Sequence, residues 1–175
     1  MYARIEPMTD HRVGTTTAVA QDFDLFYRRE LPAMVALAGA ITGSNIVAED
    51  LAQEALVRAY KQWETIGRYD KPGAWLRRVT INLALSNRKR LSAELRAKLR
   101  LSNAPTTPPP DRRFDDVWEA VAKLPGKQRA AVALHYLEDR SVADIANILD
   151  CSESTAKVHL HRGRNQLASL LEGNG

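Results

Sequence analysis

The chain has 175 residues, 45% of them hydrophobic, a formal net charge of +4 and a single cysteine, Cys151. That length and apolar fraction fit one large or two small globular domains, and one cysteine excludes an internal disulfide framework and points to a reducing compartment, the cytoplasm by default. No stretch approaches the roughly 20 apolar residues of a membrane span, and MYARIEPMTDHRVGTTTAVA lacks the apolar core of a signal peptide, so neither export nor membrane insertion is expected.

Residues 1–20 mix Thr, Gly, Asp and Arg without periodicity and read as a loose tail. From 21 to 101 apolar residues recur three or four apart, which predicts helices interrupted at TGSN (42–45) and around GRYDKPG (67–73). In AEDLAQEALVRAYKQW (48–63), Ala48, Leu51, Ala52, Ala55, Ala59 and Trp63 form the inward stripe, and Asp50, Gln53, Glu54, Val57 and Lys61 face outward. In AWLRRVTINLALSNRKR (74–90), Trp75, Val79 and Leu83 are expected inward and Arg77, Ile81, Leu85 and Arg88 outward. The same stretch gathers Arg77, Arg78, Arg88, Lys89 and Arg90 with no acid, a cluster suited to phosphates.

SNAPTTPPPDRR (102–113) has prolines at 105, 108, 109 and 110, a composition that ends a helix and favours extended chain; it reads as a linker. Residues 114–175 then predict four more helices. Phe114, Val117, Trp118, Val121 and Leu124 share the face of the first, LPGKQ breaks it, and a second runs to about Leu137. The closing pair has helix-turn-helix grammar. Ser141 caps one helix with Asp144 three residues on, Asp150, Cys151 and Ser152 make the break, and Ser152 caps the other. On that last helix Ala156, Leu160, Gly163, Leu167 and Leu170 or Leu171 are inward, with Gly163 marking a close helix contact. Ser154, Val158, His161, Arg162 and Asn165 lie opposite, flanked by Lys157 and Arg164. His159 and His161 diverge by about 200° around the helix, so they do not grip one metal together, and neither metal nor cofactor is expected.

The 48–63 and 74–90 segments, with LPGKQRAAVALHYLEDRSVADIANILDCSESTAKVHLHRGRNQL, resemble bacterial RNA polymerase sigma factors of the extracytoplasmic function (ECF) group of the sigma-70 family, in the same order along the chain. The resemblance implies an all-α protein with a region 2-like domain (21–101) and a region 4-like helix-turn-helix domain (114–175). The first would bind core RNA polymerase and the promoter's −10 element, and the second the −35 element. By that likeness Asp50, Gln53, Glu54 and Val57 meet the polymerase. Arg68, Tyr69, Asp70, Arg77, Arg78, Asn82 and Arg88 meet −10 DNA. Ser154, Thr155, Lys157, Val158, His161, Arg162 and Arg164 meet the −35 element, where an Arg or Lys in the major groove can bond guanine. It further implies an anti-sigma partner, with outward Ile81 and Leu85 as contacts, and a free chain that is monomeric. Asp144 stands where the family usually has glutamate. No nucleophile with an adjacent base, paired carboxylates or glycine-rich phosphate loop is apparent, so the chain is not expected to be an enzyme. Two other readings remain at this point. A stand-alone helix-turn-helix regulator would leave the outward DLAQE surface without a task; the other reading is an interaction module or a nucleic-acid-processing enzyme, to which promoter-independent turnover of DNA or RNA by the pure protein would point.

Overall fold

The computed structural model describes residues 12–101 and 116–172, which form eight helices and no strand. The expected linker, 102–113, and Phe114 lie outside the described residues. The first module comprises α1 (Arg12–Thr42), α2 (Asn45–Lys61), α3 (Trp63–Ile66) and α4 (Pro72–Leu101); the second comprises α5 (Asp116–Ala122), α6 (Gly126–Glu138), α7 (Val142–Leu149) and α8 (Glu153–Glu172).

Helix α1 begins at Arg12, inside the stretch expected to be a loose tail. Extending an existing helix by one residue costs far less than nucleating one, so a helix held by packing over Phe23–Ile41 propagates through a weakly patterned run. It ends at Gly43, whose φ of +76° is a left-handed turn conformation that glycine adopts without steric cost. Thr42 Oγ1 donates back to the Ala38 carbonyl at 2.8 Å, and Ser44 Oγ accepts from the Val47 N–H at 3.4 Å, capping α2. Ala48, Ala52, Ala55 and Ala59 are fully buried, and their small side chains let α1 and α2 run close together. The half-buried Trp63 ring packs on Phe26 and Phe23, with centroids 4.7 and 5.2 Å away, in the core role expected of it.

In the second module Ser141 Oγ accepts from the Asp144 N–H at 3.1 Å and donates to Asp144 Oδ2 at 2.8 Å, a capping box closed through the hydroxyl. Asp150 ends α7 in the left-handed region (φ 55°), and Ser152 Oγ accepts from the Thr155 N–H at 3.1 Å to start α8. Gly163 is buried against α6, where a Cβ would sit 2.7 Å from Val132 Cγ2 and 3.2 Å from the Gln128 carbonyl oxygen. The close contact expected from sequence is there. Cys151 is half-buried against the core, and Val117 lies 44% exposed at the edge of α5 rather than on its inward face.

One helix departs from its sequence reading. On α4 the buried residues are Leu76, Arg77, Thr80, Ile81 and Ala84, while Trp75, Val79 and Leu83 are half-buried. Arg77 and Ile81, expected outward, are thus 5% and 1% exposed, and Leu85 is half-buried. A single apolar stripe assumes one covered face, but α4 packs on α1 and α2 and also on α7. The second module lies on the first: α5 and α6 contact α1, and one buried cluster runs through both.

Candidate nucleic-acid interface

Helix α8 is held by its buried side, Ala156, Leu160 and Gly163, so its opposite side is presented to solvent at a fixed angle. Ser154, Thr155, Lys157, Val158, His161, Arg162 and Arg164 are all exposed on it, as the helix-turn-helix reading requires. Their surroundings differ. Ser154 and Thr155 hydroxyls lie 2.9 and 2.8 Å from Ser152 Oγ in the cap of α8. His161 Nε2 pairs with Asn165 Nδ2 at 3.1 Å. Arg164 Nε donates to Tyr136 Oη at 2.6 Å, and its guanidinium stands 5.5 Å from that ring's centre. Tyr136 escaped the sequence reading; an exposed tyrosine on α6 was its only trace. Half-buried His159 is held below the ordinary histidine pKa by burial and by the nearby Lys127 and Arg162 charges.

On α2 the exposed row Asp50, Gln53, Glu54 and Val57 is as expected, with two additions. Ile46 (76% exposed) and Tyr60 (61%) fall on the same face as Val57 (50%), spaced 46, 50, 53, 57, 60 along one helix side. Apolar groups there point to a protein partner more than a solvated face does. Gln53 shares a hydrogen bond with Tyr27 Oη (Nε2 to Oη 3.0 Å), and Glu54 takes Arg58 in an i,i+4 pair at 2.5 Å.

The residues assigned to −10 DNA divide into two groups. Arg68, Tyr69, Asp70 and Asn82 are exposed. The three arginines face the second module. Buried Arg77 Nη1 binds Glu30 Oε2 at 2.8 Å and the Gly73 carbonyl at 3.0 Å, and its Nε donates to Glu138. Glu138 also takes Arg140 at 3.2 Å, and Glu30 takes Arg29 at 3.0 Å. Arg78 donates to the Asn147 and Ile148 carbonyls at the end of α7, at 2.5 and 3.2 Å. Arg88 donates to the Ile41, Thr42 and Ala122 carbonyls at 3.1–3.4 Å. Lys71 adds a 2.9 Å pair to Asp144, whose carboxyl is held below the usual range by hydrogen bonds from Lys71 and Ser141. A cleft of about 450 Å³ bounded by Tyr69, Trp75, Arg78, Asp144 and Asn147 opens between the modules.

Arg129 was not singled out by sequence. It is 5% exposed and donates to four carbonyls, those of Val121, Ala122, Leu124 and, across the modules, Ile41. Burial and the neighbouring Arg88 lower its pKa to about 10. Among the described residues no three His, Cys, Asp or Glu side chains converge on a metal-sized site, and no helix is long and apolar enough to cross a membrane.

The family model for Sigma-70 region 2 matches residues 26–94, and that for Sigma-70 region 4 matches 114–167. An RNA polymerase sigma-E factor of Streptomyces avermitilis is 32% identical over 161 residues, covering 86% of each chain. The ECF RNA polymerase sigma factor SigW of Bacillus subtilis is 31% identical over 140 residues, covering 71% of this chain and 75% of the relative. Among solved structures, the sigma factor RpoE of Bartonella quintana, in complex with the anti-sigma factor NepR, superposes with a TM-score of 0.67 at 27% identity, covering 87% of this chain and 98% of that one. CnrH, in complex with the cytosolic domain of CnrY, has the same fold (TM-score 0.65, 21% identity, covering 90% and 96%).

Proposed function

The chain belongs to the sigma-70 family and, within it, to the ECF sigma factors, and from that premise we propose how its surfaces divide the work of starting transcription. It is a transcription initiation factor, and the polymerase supplies the catalysis. The first module docks on core RNA polymerase through the α2 row Asp50, Gln53, Glu54 and Val57, with Ile46 and Tyr60 adding apolar area. Loop residues Arg68, Tyr69 and Asp70, with Asn82 on α4, take the −10 region; the exposed Tyr69 ring offers a face on which an unstacked base can lie. Half-buried Arg78 and Arg88 supply charge to phosphates on that side, whereas Arg77, 5% exposed and paired with Glu30 and Glu138, is taken up by a structural ion pair and departs from the role expected of it. Helix α8 reads the −35 element through Lys157, Val158, His161 and Arg162, with Ser154 and Thr155 at its N-terminus and Arg164 on its flank.

The observation that carries this reading is the match of both sigma regions, in order, to two modules whose exposed residues include the α2 row and the α8 basic face. A cytoplasmic location follows from work on the polymerase. Control by an anti-sigma protein is proposed from the similar fold of RpoE, which is seen with NepR. The test is to add the pure chain to core polymerase on genomic templates and map transcript starts. New, defined start sites that share two sequence elements support the proposal; initiation unchanged by the chain overturns it. Tight binding of the chain alone to duplex DNA, with no effect on polymerase, would favour a stand-alone helix-turn-helix regulator.

A further inference from the structure

Arg164, on the flank of α8, is held by a second helix. Its Nε donates to Tyr136 Oη at 2.6 Å, and its guanidinium stands over the Tyr136 ring, 5.5 Å from the centre. The packing of α6 against α8 builds this contact. At Gly163 the helices touch, with Val132 Cγ2 only 2.7 Å from where a Cβ would be. Tyr136 follows Val132 by one turn on the same side of α6, and Arg164 follows Gly163, so the close crossing brings the two side chains together. The Tyr136 ring is braced edge-on by His135 (centroids 4.9 Å apart, planes at 84°), whose Nδ1 lies 3.2 Å from the Arg140 carbonyl oxygen. Tyr136 is nevertheless 54% exposed, so core packing does not account for its hydroxyl being spent on an arginine.

We propose that Tyr136 is a positioning residue for −35 recognition: it presets Arg164 as a clamp for one phosphate at the edge of the major groove, and α8 takes its register on the duplex from that contact. This rests on the sigma-factor reading above. Direction identifies the ligand. Arg162 and Arg164 diverge by about 200° around α8, so when Arg162 points at base edges Arg164 faces the wall of the groove, which is a sugar–phosphate strand. Lys157, seven residues earlier, falls within about 20° of Arg164 and about 10 Å along the axis, a second cation on the same flank. The bond to Tyr136 identifies the chemistry. It uses Nε and leaves both Nη groups to donate, a planar pair that suits phosphate oxygens. A mobile arginine gives up rotamer freedom when it settles on DNA, whereas Arg164 has given it up in folding, so its contact costs less. A phosphate contact carries no sequence information of its own but fixes orientation; without it α8 rocks, and the reading by Arg162 and Val158 blurs.

The test uses the full chain with core polymerase on a mapped promoter whose −35 phosphates are replaced one at a time by neutral methylphosphonates. The parent is expected to lose affinity by about tenfold at one phosphate bordering the groove, and Arg164→Ala to be equally weak on native DNA and indifferent to that replacement. Tyr136→Phe, which keeps the ring, should fall between the two, and adding it to Arg164→Ala should change nothing further. Three results overturn the proposal: a Tyr136→Phe chain with the parent's phosphate sensitivity, additive losses in the double variant, or an Arg164→Ala chain that keeps that sensitivity and loses preference for one base pair instead. A second measurement needs neither polymerase nor DNA. In the free chain the Arg164 Nε–H should exchange slowly with water, and quickly in Tyr136→Phe; fast exchange in both overturns the clamp. If the parent never initiates with core polymerase, the sigma reading fails instead, and the exchange rates still decide whether Tyr136 holds Arg164.

Discussion

Replacing Arg162 with alanine separates DNA reading from folding more cleanly than any other change on α8. Arg162 is exposed on the outward side and makes no hydrogen bond or ion pair with the described residues. Its removal should therefore leave stability within about 0.5 kcal/mol of the parent. In the major groove a bidentate arginine–guanine contact contributes roughly 1–3 kcal/mol of discrimination, which corresponds to about five- to 150-fold at the −35 element. The assay is single-round transcription by core polymerase plus the chain on a mapped promoter, with each −35 base pair varied in turn. The expected pattern is a drop on the native promoter and flattened discrimination at one or two positions, with core binding unchanged. A second readout is internal: Arg162 is one of the charges depressing His159, so the variant should raise the His159 pKa, visible in imidazole chemical shifts. Normal transcription by Arg162→Ala, with the His159 shift confirming a folded α8, would refute the assignment of this face to the groove.

Gly163→Ala gains about 1 kcal/mol of helix propensity but drives a Cβ to 2.7 Å from Val132 Cγ2 on stiff, branched packing, where overpacking costs about 1–3 kcal/mol; the net is a lower melting temperature together with weaker −35 reading, checked by calorimetry and transcription. Tyr136→Phe removes the hydroxyl that fixes Arg164 and keeps the ring; stability should change little, while discrimination at the bases under α8 loosens, measured on the same promoter panel. Val57→Asp on the exposed α2 stripe should weaken core polymerase binding by about tenfold and leave thermal stability near the parent's, read by co-elution and melting. His159 has a folded-state pKa below its unfolded value near 6.5, so the unfolded chain takes up the proton first; the stability it contributes is complete above that value and declines as pH falls through it towards the folded pKa, a loss that His159→Gln should abolish in urea titrations across pH 7.5 to about 5.

The helix-turn-helix was legible because everything that defines it is local. Ser141, Ser152 and Asp150 cap and break helices within three or four residues, and Ala156, Leu160 and Gly163 share one stripe. The α2 surface was legible for the same reason, since a helix with one covered face writes that face into its spacing. Helix α4 was not. Periodicity assigns a residue to inside or outside, whereas α4 has a second covered side supplied by α7, some 70 residues later in the chain. Arg77 and Ile81 were therefore placed outside from a pattern that carries no information about a distant partner. Arg129 shows the same limit. In LPGKQRAAV it looks like a solvated cation, and only the convergence of α5's final carbonyls with Ile41, 88 residues away, explains its burial.

The contacts between the modules are of two electrostatic kinds. Arg88 and Arg129 bind carbonyls at the ends of α1 and α5, and no carboxylate pairs with either among the described residues; each lowers its own charge stability by burial, and Arg88 lowers Arg129 further, to about 10. Two cations side by side at that junction repel, a cost offset by the carbonyls that each binds. The Arg77–Glu138 and Lys71–Asp144 pairs act in the opposite sense, holding the modules shut through attraction. Because the two modules belong to one chain, the second never dilutes away from the first and its effective concentration stays high.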